Sequence, residues 1–201
     1  QERLLTSGEH GVHSWPVRRA ANDADITLGP PTSLGAALSD TAYLGVSDDG
    51  SVLVVDHGSE GNRKWQATLL RSEDDSTRRA TLEGPYLRGA AVSPDGRWIA
   101  TGTKWGEGVT VWDGESGERV RQLASHGSAV AEFSPDGRWL AANSGEAVRF
   151  WETGSWQLRY TFHASADAGS AVAFTPDSRL AALARRGQGI LLVELSTGEP
   201  V

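Results

Sequence analysis

Carboxylates recur along this 201-residue chain where the backbone must turn: Asp48, Asp49, Asp95, Asp136 and Asp177. Two carboxylates across one cleft, in environments that separate their pKa values, would perform general acid–base chemistry. These acids instead return at equivalent points of a repeating pattern, which spreads them apart and assigns them to turns, where an Asp side chain bonds its own backbone. Among the five histidines the only close pair is His10 and His13. Residues three apart on a strand point to opposite faces, so the pair is poorly set to hold one metal ion. Glu73-Asp74-Asp75 lacks the Gly and terminal Glu of a calcium loop. The Gly-rich stretches Gly102 to Gly108 and Gly187-Gln188-Gly189 join two strands, whereas a phosphate cradle leads from a strand into a helix. There is no Gly-x-Ser-x-Gly elbow and no cysteine, which removes the thiol nucleophiles, disulfides and thiolate metal sites. The residues therefore point to a chain without catalytic, cofactor-binding or metal-binding groups of its own.

Composition narrows the classes further. The chain is 38% hydrophobic and 22% charged, enough to bury a substantial core, and its 24 Gly, 8 Pro and 8 Trp suit tight turns and stacked sheets. A formal charge of −7 argues against a nucleic-acid partner, which would need a dominant basic face. With no signal peptide and no apolar run of bilayer length, neither secretion nor membrane insertion is expected, and a cytoplasmic location is the reading. No Met occurs anywhere, so either processing removed the initiator or the sequence is a piece of something longer.

The elements that position these residues repeat. Nearly the same turn appears four times, as Ser47-Asp48-Asp49-Gly50, Ser93-Pro94-Asp95-Gly96, Ser134-Pro135-Asp136-Gly137 and Thr175-Pro176-Asp177-Ser178, at intervals of 46, 41 and 41 residues. Pro presets the turn, Asp bonds the local backbone and Gly accepts positive φ, so the motif is a hairpin connector with a mechanism. A period of about 40–45 residues is that of a four-stranded propeller blade. Alternating apolar runs flank each turn, and no helical periodicity of useful length appears. The predicted units are a partial blade over 1–30 (strands b to d), full blades over 31–84, 85–124 and 125–163, and a partial blade over 164–201 (strands a to c). The count is 18 strands, beginning and ending in mid-blade.

At this point the sequence resembles the WD-repeat (WD40-type) β-propeller family, over nearly its whole length. The resemblance rests on Val111-Trp112-Asp113, Phe150-Trp151-Glu152, Ser14-Trp15-Pro16 and the Ser-Pro-Asp-Gly turns. Propellers of periplasmic and peptidase-linked proteins carry similar turns; the strand-c Trp–acid pairs favour the WD type. It implies an all-β fold of four-stranded antiparallel blades, with Trp15, Trp112 and Trp151 as strand-c anchors. It also implies a His–Asp–Ser/Thr–Trp bracing set, which only the third full unit approaches, with His126, Ser144 and Trp151. Family rings most often hold seven blades, and these two ends supply no strands to close one. The expectation is an open segment of a larger propeller, its missing blades coming from flanking sequence or from another chain.

The resemblance implies display rather than chemistry. In such blades the b–c and d–a loops share one face, which here would carry the basic residues Arg63, Lys64, Arg88, Lys104, Arg185 and Arg186 and the aromatics Tyr86 and Trp105. These are residue types that dominate interface hot spots. The opposite face would collect Asp49, Asp95, Glu115, Glu118, Asp136 and Asp177, and the asymmetry would steer an acidic segment of a protein or peptide partner to the basic side. The reading is a non-catalytic scaffold or sensor module within a larger multidomain protein. Its Ala-, Arg- and Gly-rich wording suggests a high-GC bacterial gene. Two alternatives stay open: the regulatory propeller of an enzyme (a signalling NTPase, protein kinase or peptidase) whose catalytic domain lies outside this chain, and a channel-binding propeller. The small apolar inner strands at Ala90-Ala91-Val92, Ala129-Val130-Ala131 and Ala171-Val172-Ala173 disfavour the channel.

Overall fold

The computed structural model describes residues 3–8, 11–19, 25–34, 44–58, 65–73, 76–84, 87–104, 108–123, 127–163, 171–185 and 189–201. Every regular element among them is a β-strand, and the strands form five antiparallel sheets. The first contains β1 (Arg3–Gly8), β2 (Gly11–Arg19), β3 (Ile26–Leu28) and β4 (Thr32–Ser33). The second runs β5 (Leu44–Val46), β6 (Val52–Gly58), β7 (Trp65–Glu73) and β8 (Ser76–Glu83). The third runs β9 (Leu87–Val92), β10 (Trp98–Thr103), β11 (Val109–Asp113) and β12 (Arg119–Leu123). The fourth runs β13 (Val130–Phe133), β14 (Trp139–Asn143), β15 (Ala147–Glu152) and β16 (Gln157–His163). The fifth holds β17 (Val172–Phe174), β18 (Leu180–Arg185) and β19 (Gly189–Glu194).

One departure from the sequence reading lies in the first sheet. Its last strand, expected at 25–28, is split: β3 pairs with Val17 to Arg19, and β4 pairs with His13 and Ser14 of the same strand. Pro30 and Pro31 lie between the halves and have no N–H to give the ladder. Pairing resumes around them, through Gly29 N–H to the Pro16 carbonyl and Leu34 N–H to the Val12 carbonyl, both at 2.9 Å. Thr32 and Ser33, expected to open the next blade, therefore belong to this sheet.

Both faces of the inner sheets are used. In the fourth sheet Leu140, Ala142 and Trp151 pack on Val109, Val111 and Leu123 of the third, while Trp139, Ala141 and Phe150 pack on Ala181, Leu183 and Val193 of the fifth. Trp112 likewise meets Val54 and Leu69 of the second sheet, and Leu70 meets Val12 of the first. The residues opposite these anchors are Leu53, Ile99 and Leu140, and Ala181 opposite Val193, so Leu70, Trp112, Trp151 and Val193 hold one structural position. Each such side chain, buried, contributes about 1.5–3 kcal/mol. First strands crowd together: a Cβ on Gly45 would stand 2.8 Å from the Ala90 carbonyl oxygen, which only glycine avoids. The outermost faces differ. Leu4, counterpart of Leu140, is 44% exposed, and Leu192, counterpart of Phe150, is 40% exposed.

The turns after the third strands of the third, fourth and fifth sheets close alike, by the N–H of Gly117, Trp156 and Gly198 on the carbonyls of Asp113, Glu152 and Glu194 at 2.9, 2.8 and 2.7 Å. All three closing residues are left-handed, with φ of 75°, 55° and 76°. Glycine adopts that conformation freely, and a tryptophan at a cost of about 1–2 kcal/mol. Trp156 holds it because its indole is buried between the third and fourth sheets, edge-to-face with Trp98 at 5.3 Å. A side chain at Gly198, by contrast, would enter the Tyr160 ring.

Trp151, 4% exposed, should lose about 3–5 kcal/mol on replacement by Ala, measured by denaturant unfolding. A change under about 1 kcal/mol would contradict its place in the core. At Trp156, Ala should cost more than Gly, by about 1 kcal/mol, because Gly relieves the left-handed strain. Equal losses would remove that strain from the account.

Candidate functional site

The four repeated turns lie along one edge of the sheets and share a bonding pattern. The hydroxyls of Ser47, Ser93, Ser134 and Thr175 donate to Oδ1 of Asp49, Asp95, Asp136 and Asp177 at 2.6, 2.5, 2.6 and 2.6 Å. The same oxygens accept the N–H of Ser51, Arg97, Arg138 and Arg179 at 2.9 to 3.1 Å. Each hydroxyl also accepts the first N–H of the returning strand, from Val52, Trp98, Trp139 and Leu180. The third turn residue after the hydroxyl is left-handed: Gly50, Gly96, Gly137 and, in the fourth turn, Ser178 at φ 55°. Ser178 has a compensating contact, since its hydroxyl accepts the Asp136 N–H at 2.9 Å and ties the fourth turn to the third. Asp48 N–H reaches the Pro94 carbonyl at 3.0 Å and ties the first to the second. The aspartates are thus bonded within their own turns.

The acids Asp49, Asp95, Glu115, Glu118, Asp136 and Asp177 lie in turns, and arginines stand among them. Arg97, Arg138 and Arg179 each follow a turn aspartate by two residues, and Glu152 is paired with Arg159 at 2.7 Å. The Arg97 guanidinium lies 4.9 Å over the Trp98 ring. Between the third and fourth sheets this edge holds an open cleft of about 370 Å³, lined by Arg97, Trp98, Arg138 and Thr153 among others. Sequence reasoning passed over these residues, although the repeated Gly96-Arg97-Trp98 and Gly137-Arg138-Trp139 offered a signal.

The opposite edge is where β10 and β18 finish and β9 begins. Lys104 follows β10 and is half-buried; Arg185 ends β18, opposite Gly189, and is half-buried; Arg88 is the second residue of β9. Strand direction therefore places these three at one edge, away from the turns. Arg63, Lys64, Tyr86, Trp105 and Arg186 lie outside the described residues, as do His10, Asp74, Asp75 and His126.

The structural residues sort differently from expectation. The indole N–H of Trp112 donates to Thr101 Oγ1 at 2.8 Å, and that of Trp15 donates to Thr6 Oγ1 at 2.9 Å. In the third full unit, thought nearest to a bracing set, Ala142 stands where Thr101 would be and has no hydroxyl. Its Ser144 hydroxyl instead donates to the Ala147 carbonyl at 3.1 Å and accepts Arg149 Nη1 at 3.2 Å. Trp151 is held by packing. Among the described residues no three His, Asp or Glu side chains converge on a possible metal position, and no helix is long and apolar enough to cross a membrane.

Comparison with known proteins agrees with this geometry. The family model described as "WD domain, G-beta repeat" matches residues 76–113 and 117–152. Those spans run from β8 to β11 and from β12 to β15, so each repeat takes the outer strand of one sheet and three strands of the next. Among solved structures, a chain of Kuenenia stuttgartiensis Hydrazine Synthase is similar in fold, with a TM-score of 0.66 and 20% identity. The match covers 98% of this chain and 61% of that one, and at this identity it shows the fold alone: all-β, built of propeller blades. No curated protein sequence matches.

Four carboxyls on the turn edge are held below the ordinary range: Asp49 mainly by the Ser47 hydroxyl, Asp177 by the Thr175 hydroxyl, Asp113 by the Ser116 N–H and Glu152 by the Arg159 guanidinium. An acid whose pKa falls on folding adds stability above its unfolded pKa and loses it as the pH drops through the folded value. Unfolding midpoints should therefore hold at neutral pH and fall below about pH 4. The D49N/D177N variant should show a shallower decline than wild type; parallel curves would contradict the assignment.

Proposed function

We infer that this chain, which carries WD repeats stacked as propeller blades, is a non-catalytic module that binds a protein or peptide partner. The observation that carries this reading is the division of labour between the two edges. One edge uses its carboxylates and hydroxyls to hold the turns, leaving few of them free for chemistry. At the other, Arg88, Lys104 and Arg185 stand at the ends of three strands; Tyr86, Trp105 and Arg186 lie beside them in sequence, and Arg63 and Lys64 lie between β6 and β7. A basic and aromatic rim of this kind suits an acidic segment, drawn in by charge and anchored by rings.

The uncovered outer faces at Leu4 and Leu192 support the second part of the proposal. Further blades, from flanking sequence or another chain, cover them, and the module works as a scaffold or sensor within a larger bacterial protein. Burying these apolar faces removes an aggregation liability.

Proteins retained from a source-cell extract by the immobilised chain should be lost when R185E/R186E replaces wild type, with no change in Tm. Undiminished retention would overturn the assignment of the basic edge.

A further inference from the structure

The turn-edge cleft between the third and fourth sheets has features that the turns themselves do not explain. Among the described residues, Thr153 Oγ1 is buried there and has no hydrogen-bond partner. Its backbone N–H is used, donating to the Arg138 carbonyl at 2.8 Å, but the hydroxyl is left over. An unpaired buried hydroxyl is destabilising, and a methyl in its place would be better tolerated. Gly114 and Leu195, whose N–H groups make the same bond to Arg97 and Arg179 in neighbouring sheets, carry no such hydroxyl.

The hydrogen-bonding groups around it, three charged carboxylates and two guanidiniums, are unequally occupied. Asp95 and Asp136 accept a hydroxyl and an N–H from their own turns, and Glu152 is held by Arg159. The two guanidiniums facing the cleft are not held in this way. Among the described residues, neither Arg97 nor Arg138 makes a side-chain hydrogen bond or an ion pair; they act on Asp113 and Glu152 only through space. Arg97 rests on Trp98, which in turn meets Trp156 edge-on. A ring beneath a guanidinium fixes its plane and leaves its N–H edge free for a carboxylate.

We propose that this cleft is a second binding site, taking a carboxylate side chain from a partner peptide. Arg97 and Arg138 supply the donors, and Thr153 Oγ1, closed to solvent in the free chain, turns about its Cα–Cβ bond to add a hydroxyl bond at the floor. The site is independent of the basic edge: it uses different residues at the other end of the strands.

The test is NMR on the full chain, following the Trp98 indole N–H and the Thr153 amide. The probes are a capped Gly-Glu-Glu-Gly peptide and its Gly-Gln-Gln-Gly counterpart. The acidic peptide should shift both signals saturably, with affinity falling as salt rises, and the glutamine peptide should not. R97Q/R138Q should weaken binding at least about fivefold, whereas R121Q, on the outer strand and outside the cleft, should leave it unchanged. T153V should raise Tm by about 2–4 °C while weakening the peptide several-fold, a pairing that a purely structural threonine would not produce. Signals that do not move, equal shifts with the glutamine peptide, or a T153V chain that binds as wild type would each overturn the proposal.

Discussion

Each inner sheet of this chain is apolar on both faces, and that constraint governs the rest. A sheet with Leu140 and Trp151 on one side and Trp139 and Phe150 on the other has no surface to offer water. It persists only between two neighbours, so stability belongs to the contacts between sheets more than to any one of them. Strand register matters doubly in such a stack, because a slip of one residue would exchange the two faces. The hydroxyl–aspartate–amide bonds of the four turns fix that register where the first two strands of a sheet meet.

Much of this was legible in the sequence because turn chemistry is local. Ser93-Pro94-Asp95-Gly96 contains within four residues every group that the turn bonds use, so its recurrence revealed both hairpin and period. The tryptophans of the third strands were legible because Trp112 and Trp151 each sit in a short apolar run closed by an acid. The split last strand of the first sheet was not, since Thr32 and Ser33 pair across two prolines that sequence patterning treats as a break. Nor was the shift of the indole–hydroxyl bond to Trp112 and Trp15, which depends on which residue lies two pairs along a neighbouring strand. The candidate basic edge was legible only as composition. Placing Lys104 and Arg185 together required strand direction, and their expected neighbours lie outside the described residues.

The charges of the turn edge show how a residue count misleads. Counting Asp and Glu made that edge acidic, yet the turn motif itself ends with an arginine in three of four copies, at Arg97, Arg138 and Arg179. Local bonding occupies one oxygen of each aspartate, as a hydroxyl and an amide surround its Oδ1, and leaves the charge in place. Exposed aspartates and arginines therefore alternate along this edge.

The offset between sequence repeat and sheet has a consequence for how such a chain lengthens. A repeat matching 76–113 gives its first strand to one sheet and its other three to the next. Tandem duplication of that unit in the gene would insert a strand that completes the sheet before it and three strands awaiting the unit after it. Every seam of the enlarged array would then be stitched by continuous chain. Growth by whole repeats therefore conserves the joints, and the number of blades becomes a quantity that inheritance adjusts without redesigning any of them.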